Sequence, residues 1–198
     1  FLFEDWLKRA LHFLGWEVRH VMNVTDVGHL TSDADQGEDK MEVGARRMGT
    51  GKTAWDVAAH YTERFLSDSR AMALEPPDIL CKATDHIAEQ VALAQRLEER
   101  GFLYKIEGDG MYFDTSRFPD YGRLAGPGAL AAEQESRIGA VEGKRNPRDF
   151  AVWKFHQGEG KRDMEWESPW GKGFPGWHLE CSAMSMKYLG EQFDIHCG

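Results

Sequence analysis

Apolar residues recur at helical spacing near the start of the chain. These positions are Phe3, Leu7, Ala10, Leu11 and Leu14. The spacing predicts an amphipathic helix over residues 3–14, which Gly15 is placed to end. The Val-containing stretch 16–24 then predicts a strand. A helix followed closely by a strand is half of a βαβ unit, and open α/β sheets bind ligands at the carboxyl edge that such a strand leads to.

The middle of the chain predicts helices separated by polar segments. Residues 31–51 are polar and Gly-rich, which indicates an exposed loop with a helical turn near residues 40–47. Thr53 and Asp56 have the spacing of a capping box, so a helix is expected from there to about Ala73. A second helix is expected to begin at Thr84 and to end at Gly101.

The second half of the chain predicts strands before a final helix. Residues 102–106 and 111–114 read as the arms of a hairpin, and residues 150–155 as a further strand. Residues 118–148 contain few large apolar side chains and predict a surface segment. A helix over residues 177–188 and a short strand over residues 193–196 complete the expected order.

This order predicts an α/β fold. Helices and strands alternate, then a β-rich stretch intervenes, and then the α/β pattern returns, as in a doubly wound (Rossmann-like) sheet that is interrupted by an insertion. We expect residues 1–100 to form the first half of the sheet domain with a helical extension. Residues 101–170 would be a β-containing connective insertion, and residues 171–198 would begin the second half.

Composition narrows the class of protein. The chain has 198 residues and 41% hydrophobic residues, enough for a substantial core, and its longest apolar runs are too short for a transmembrane helix. The net charge of −9 argues against general coating of a nucleic acid, and we expect no DNA or membrane partner. Three widely spaced cysteines indicate a reducing compartment, and with no visible signal peptide we expect a cytoplasmic protein.

The densest candidate chemistry lies near the end of the chain. The stretch from Gly176 to Met184 carries Trp177, His178, Glu180 and Cys181, and His196 follows fifteen residues after the cysteine. Cysteine and histidine are ligands that zinc favours. Cys181 falls in the first turns of the predicted helix, where the helix dipole is expected to favour the thiolate. For a lone cysteine, a buried structural role is the alternative.

Several motifs resemble one enzyme family in order along the chain. They are NVTDV at 23–27, ATDHI at 83–87, MYFD at 111–114, DFAVWK at 149–154, SPWG at 168–171 and FPGWHLECSAM at 174–184. Together with FDIH at 193–196, they are similar to the cysteinyl-tRNA synthetases, which are class I synthetases with a Rossmann-like catalytic domain. Val27 to Leu30 only faintly resembles the family's ATP-binding signature, and it lies on the wrong side of the helix–strand unit.

The resemblance implies roles for five residues. Cys181 matches a zinc ligand, and the remaining ligands would lie before Phe1 and after Gly198. Trp177 matches a wall of the cysteine pocket and Thr25 matches the threonine beside the substrate. His178 and His196 match histidines of the catalytic pocket and are not zinc ligands. The zinc would bind the substrate thiolate and so distinguish cysteine from serine, which a purely hydrophobic pocket separates weakly.

The resemblance also implies an activity. The enzyme would activate L-cysteine with Mg²⁺-ATP to cysteinyl-adenylate and transfer the cysteinyl group to tRNA(Cys). The family's ATP-binding HIGH and KMSKS signatures are not found in the sequence, so we expect a fragment of a longer protein that is inactive alone. Two alternatives stay open: a ligase that joins cysteine to an amino sugar, as in mycothiol synthesis, and a non-catalytic synthetase-like paralogue.

Overall fold

The computed structural model describes residues 1–32, 36–123, 141–156 and 162–197. In these ranges the α-helices are α1 Leu2–Phe13, α2 Lys40–Met48, α3 Ala54–Ala71, α4 Ile87–Glu99 and α5 Trp177–Leu189. The strands are β1 Val21–Val24, β2 Leu30–Ser32, β3 Gln36–Asp39, β4 Ile79–Lys82, β5 Leu103–Ile106, β6 Gly110–Phe113, β7 Phe150–Phe155 and β8 Gly173–Pro175. No helix in these ranges is both long and apolar enough to cross a lipid bilayer.

A parallel pair of strands forms the α/β part. β1 and β4 pair in register, with Asn23 opposite Cys81, and α5 packs against both β1 and α4. The buried side chains between them are Val27, Cys81, Ala83, Phe174 and Met184. The expected α/β fold class is thereby confirmed.

The helix α1 is present as predicted, but the side chains that it buries are not the apolar ones. Its buried residues are Asp5 and Lys8, whereas Phe3 is 70% exposed. The Asp5 carboxylate accepts a hydrogen bond from the backbone N–H of Glu75 at 2.7 Å, and Lys8 donates to the carbonyl of Pro76 at 2.9 Å. Hydrogen bonds to the segment before β4 therefore decide which face of α1 is covered.

Side-chain caps fix the starts of the next two helices. Thr53 and Asp56 form the predicted capping box of α3. Asp39 caps α2 by accepting from the backbone N–H groups of Met41 and Glu42. The prediction of a loop over residues 31–51 was only partly right, because β2 and β3 form an antiparallel pair before α2 begins.

A four-stranded antiparallel sheet forms the β-rich part, in the order β5-β6-β7-β8. The predicted hairpin is confirmed as β5 and β6, and the predicted strand over 150–155 is confirmed as β7. The last strand, β8, pairs with β7 beyond the expected end of the insertion at residue 170. The proposed domain boundaries themselves stay predictions.

Three local predictions were wrong or too long. Thr84 does not cap a helix, because its N–H and hydroxyl both bond to Asp26 and a 3₁₀ turn over Ala83–His86 precedes α4. The strand expected over 16–24 covers only its last four residues, and residues 193–196 form no strand. Of the predicted surface segment 118–148, residues 124–140 lie outside the described ranges.

Candidate functional site

The end of β1 faces the first turns of α5. The side-chain amide of Asn23 donates a hydrogen bond to the sulfur of Cys181, with 3.3 Å between Nδ2 and Sγ. Thr25, which directly follows the strand, is half-buried. The two motifs that lie 158 residues apart in sequence therefore meet at the carboxyl end of β1, where α/β sheets place their ligands.

The environment of Cys181 does not favour the thiolate, contrary to the expectation from its place in the helix. Burial raises the pKa of the Cys181 thiol, and the neighbouring Glu180 raises it further. The hydrogen bond from Asn23 acts in the opposite direction but is a smaller effect. Desolvation is thus the largest influence on the pKa of the Cys181 thiol, and it acts against the thiolate.

The loop that follows β1, residues 25–29, is held by side chains from distant parts of the chain. Asp26 accepts hydrogen bonds from the backbone N–H of Thr84 at 2.9 Å and from its hydroxyl at 2.7 Å. The carbonyl of Gly28 accepts from the Nη2 atom of Arg162. His29 meets Glu180, with 3.1 Å between Nε2 and Oε2. We call residues 25–29 the pocket loop.

Glu180 is completely buried, which is unusual for a carboxyl group. Its Oε2 atom contacts His29, whereas Oε1 has no hydrogen-bond partner among the described residues. Burial raises the pKa of Glu180, and the contact with His29 partly offsets this change. Because Glu180 immediately precedes Cys181, the contact ties the start of α5 to the pocket loop.

Arg162 is also buried, and it joins the pocket loop to α2. Its Nη2 atom lies 2.5 Å from the carboxylate of Asp39, the residue that caps α2, and its guanidinium stacks 3.3 Å from the centre of the Phe174 ring. Burial lowers the pKa of Arg162, while Asp39 opposes that change. Arg162 and Asp39 also line a cavity of about 710 Å³ that extends to Lys154 of β7.

Gly28 is required by close approach and not by backbone conformation. A β-carbon built at this position would overlap the carboxylate of Asp39. The absence of a side chain at Gly28 therefore lets the pocket loop lie against the Asp39–Arg162 ion pair.

The remaining predicted site residues lie around the start and beyond the end of α5. His178 is exposed in the first turn, and its ring packs edge-on against Phe150 at 5.2 Å between ring centres. His196 is exposed, with its ring 6.1 Å from Phe193. The side chain of Trp177 lies outside the described part of the structure. The functional roles of Thr25, Trp177, His178, Cys181 and His196 stay predictions.

Cys181 is a suitable donor for a zinc ion. No group of three or more His, Cys, Asp or Glu side chains is arranged to hold a metal ion within the described ranges. Cys181 fits a single ligand position, because its sulfur is only partly buried and faces the carboxyl end of β1. The described residues do not supply a complete ligand set for such a site.

Sequence reasoning missed three residues that build this edge of the sheet. His29 was considered only as part of a weak ATP-binding match, Glu180 was noted without a role, and Arg162 was not singled out. For Glu180 a signal was present, since a carboxylate flanked by Leu179 and Cys181 in an otherwise apolar turn is expected to need a partner. Nothing in the sequence near Arg162 indicates that it would be buried.

Comparisons with known proteins identify the family. The model of the family described as "tRNA synthetases class I (C) catalytic domain" matches residues 1–198. The cysteine--tRNA ligase 1 of Burkholderia lata is 57% identical over 198 residues, which are all of this chain and 41% of that protein. The cysteine--tRNA ligase of Zymomonas mobilis is 54% identical over the whole chain and 37% of its own length.

A third relative agrees with the first two. The cysteine--tRNA ligase of Treponema denticola is 48% identical over all of this chain and 40% of its own length. The chain therefore spans about two fifths of the length of these relatives. Because the family model covers every residue, the chain belongs to the family of class I tRNA synthetase (C) catalytic domains.

Proposed function

We propose that the full-length protein containing this chain is a cysteine--tRNA ligase. It would use L-cysteine, ATP with Mg²⁺ and tRNA(Cys), in the cytoplasm. The observation that carries the proposal is the contact between Asn23 and Cys181, which brings a soft sulfur donor to the ligand-binding edge of the sheet. The names of the relatives, which are 48 to 57% identical, point to the same substrate.

The reaction would have two steps. In the first, a carboxylate oxygen of cysteine forms a bond to the α-phosphorus of ATP, and pyrophosphate leaves. In the second, a hydroxyl of the terminal ribose of the tRNA attacks the carbonyl carbon, and AMP leaves. Neither step needs a covalent bond to the protein, so catalysis depends on positioning the reactants and on stabilising the charge that develops.

The residues of this chain would divide these tasks. Thr25 and Trp177 would contact the substrate at the end of β1 and the start of α5. His178 and His196 would stabilise charge in the pocket, since an exposed imidazole can donate a hydrogen bond to a phosphate or carboxylate oxygen. Cys181 would supply one ligand to a zinc ion, which when bound selects the substrate by its preference for sulfur over oxygen.

The test measures cysteine-dependent exchange between ATP and pyrophosphate by the full-length protein, followed by charging of tRNA(Cys). We expect Cys181→Ser to lower kcat/KM for cysteine by about 100-fold or more and to reduce the bound zinc, because the serine hydroxyl is a poor zinc ligand. Cys197→Ser is the matched control, since Cys197 is an exposed free thiol, and it should keep its zinc and activity.

Two results would contradict the proposal. Exchange that depends on serine as strongly as on cysteine would remove the selecting role of the pocket. Transfer of the activated cysteine to an amino sugar, with tRNA left uncharged, would assign the same first step to a different ligase. The 198-residue chain by itself is expected to give no exchange, which the same assay measures.

A further inference from the structure

The pocket loop carries Thr25 but contributes little to the hydrophobic core by itself. It has five residues, it connects β1 to the short strand β2, and only Val27 belongs to the apolar cluster. Loops of this kind open locally at a low free-energy cost unless other contacts hold them. Its position therefore depends on the polar side chains that reach it from elsewhere.

Two of these side chains are ionisable groups that are costly to bury in the charged form. Glu180 is fully buried and Arg162 is 2% exposed, and each holds one point of the loop. Glu180 contacts the His29 side chain, and Arg162 donates to the Gly28 carbonyl while paired with Asp39. Apolar residues of similar size would usually give equal or greater stability at such positions, so stability alone does not account for this arrangement.

The two groups also come from the segments that complete the site. Glu180 is adjacent to Cys181, and Arg162 follows β7 of the four-stranded sheet. Each contact therefore fixes the loop relative to a different part of the molecule. A shift of the loop away from the start of α5 would break the contact between His29 and Glu180. A shift away from the segment that follows β7 would break the hydrogen bond from Arg162 to the Gly28 carbonyl.

We propose that Glu180 and Arg162 are positioning residues that hold the pocket loop, and with it Thr25, against the helix start that bears Cys181. The inference rests on the proposed function, because it concerns the selection of cysteine. A displacement of about 1 Å in a reacting site is enough to lower a rate by about 100-fold. Because Arg162 also stacks on Phe174 of β8, cysteine selection would depend on the four-stranded sheet.

The first experiment measures amide hydrogen exchange and needs no catalysis. The variants are His29→Leu, which removes the partner of Glu180 at a position that is 21% exposed, and Arg162→Met. Residues 23–30 should exchange about 10-fold faster or more in both variants, while β6 and β7 are unchanged. His29→Gln keeps a nitrogen donor and should restore most of the protection.

The matched control for Arg162→Met is Arg64→Met. Arg64 lies 3.1 Å from Asp68 but is 70% exposed, so loss of this ion pair should leave exchange at residues 23–30 unchanged. Alkylation of Cys181, compared with the exposed Cys197 in the same sample, provides a second measure. It should become several-fold faster when the pocket loop is released, because Asn23 at the adjoining end of β1 then covers the sulfur less completely.

The second experiment measures exchange kinetics of the full-length protein. The KM for cysteine should rise about 10-fold in His29→Leu and recover in His29→Gln, with the KM for ATP within about twofold of wild type. A general loss of folded protein would instead lower the rate with both substrates and leave the two KM values unchanged. The separation of the two KM values therefore identifies a positioning effect.

The outcomes distinguish this inference from the proposed function. Unchanged exchange at residues 23–30 in both variants would overturn the positioning role. Faster exchange at these residues with an unchanged cysteine KM would also overturn it, because the contacts would then be only structural. Wild-type protein with no cysteine-dependent reaction would overturn the proposed function, and hydrogen exchange with Cys181 alkylation would then decide whether Glu180 and Arg162 hold the loop.

Discussion

Two buried polar networks in this molecule differ in how completely their groups are paired. In the four-stranded sheet, Asp149 is fully buried and accepts four hydrogen bonds, from the Tyr104 hydroxyl, the Thr115 N–H and hydroxyl, and the Asn146 N–H. At the pocket loop, Glu180 is equally buried, but only one of its oxygens has a described partner.

The networks also differ in the length of chain that each one joins. The partners of Asp149 lie within 45 residues of it, whereas His29 and Glu180 are 151 residues apart and Gly28 and Arg162 are 134 residues apart. A fully paired network stabilises the sheet that contains it. An incompletely paired one costs stability, and such groups concentrate where a protein binds ligands. The comparison therefore separates a structural region from a candidate functional one.

The largest effect on stability is expected in the sheet, from Lys154→Met. The Lys154 ammonium is buried and lies 2.8 Å from Asp109, with the Tyr112 hydroxyl at 3.1 Å. Loss of the cation would leave the buried Asp109 carboxylate without the positive charge of Lys154, which should lower the free energy of unfolding by about 3–5 kcal/mol. Urea denaturation followed by tryptophan fluorescence measures this loss.

Lys105→Met is the control for that prediction. Lys105 pairs with Glu107 at 2.9 Å in the same hairpin but is 42% exposed, so the same substitution should cost less than about 1 kcal/mol. Equal losses in the two variants would show that burial does not determine the cost of losing an ion pair in this sheet.

An intermediate effect is expected at the pocket loop, from Gly28→Ala. The added methyl group would overlap the Asp39 carboxylate, so the loop or the ion pair with Arg162 must move. We expect a loss of about 1–3 kcal/mol in the free energy of unfolding, as for other overpacked sites. The same substitution should increase hydrogen exchange at residues 23–30, which ties the stability loss to the loop.

A double variant tests whether overlap with Asp39 causes the stability loss in Gly28→Ala. If the overlap with Asp39 is responsible, Gly28→Ala should cost clearly less in an Asp39→Ala background than in the wild type. A cost that is the same in both backgrounds would attribute the effect to backbone conformation, and the close approach described here would not matter.

The smallest effect is expected from acid titration of Asp114, which follows β6. Hydrogen bonds from the Ser116 hydroxyl, and then from Arg145, hold the pKa of Asp114 below its ordinary value. A lowered pKa adds stability above the pKa of the unfolded chain, and this stability is lost as the pH falls through the lower pKa of the folded protein. Arg145 is 60% exposed, so the contribution should be about 1 kcal/mol or less.

Asp114→Asn tests whether the Asp114 carboxylate stabilises the folded protein at neutral pH. The variant should lose stability at neutral pH and should show a weaker fall in stability on acidification than the wild type. If the wild type and the variant lose the same amount of stability below pH 5, titration of Asp114 does not cause that loss. This is the result expected if the Asp114 carboxyl group had an ordinary pKa.

Local sequence signals determined the individual elements wherever neighbouring residues decide the conformation. The capping box at Thr53 marked the start of α3, and Gly101 with its positive φ marked the end of α4. Local sequence also predicted the hairpin of β5 and β6 and the helix that bears Cys181. The family motifs at Thr25 and Cys181 also lie within single segments, and this made the candidate site recognisable.

Only the tertiary structure decided which polar residues are buried and what they contact. Asp5 and Lys8 are covered instead of Phe3 because backbone groups near Glu75 accept or donate hydrogen bonds at that face. Glu180 and Arg162 meet the pocket loop across more than 130 residues of chain. Periodicity reports the average polarity of a face, whereas the burial of a charge depends on a specific partner, and that partner is fixed only when the segments pack together.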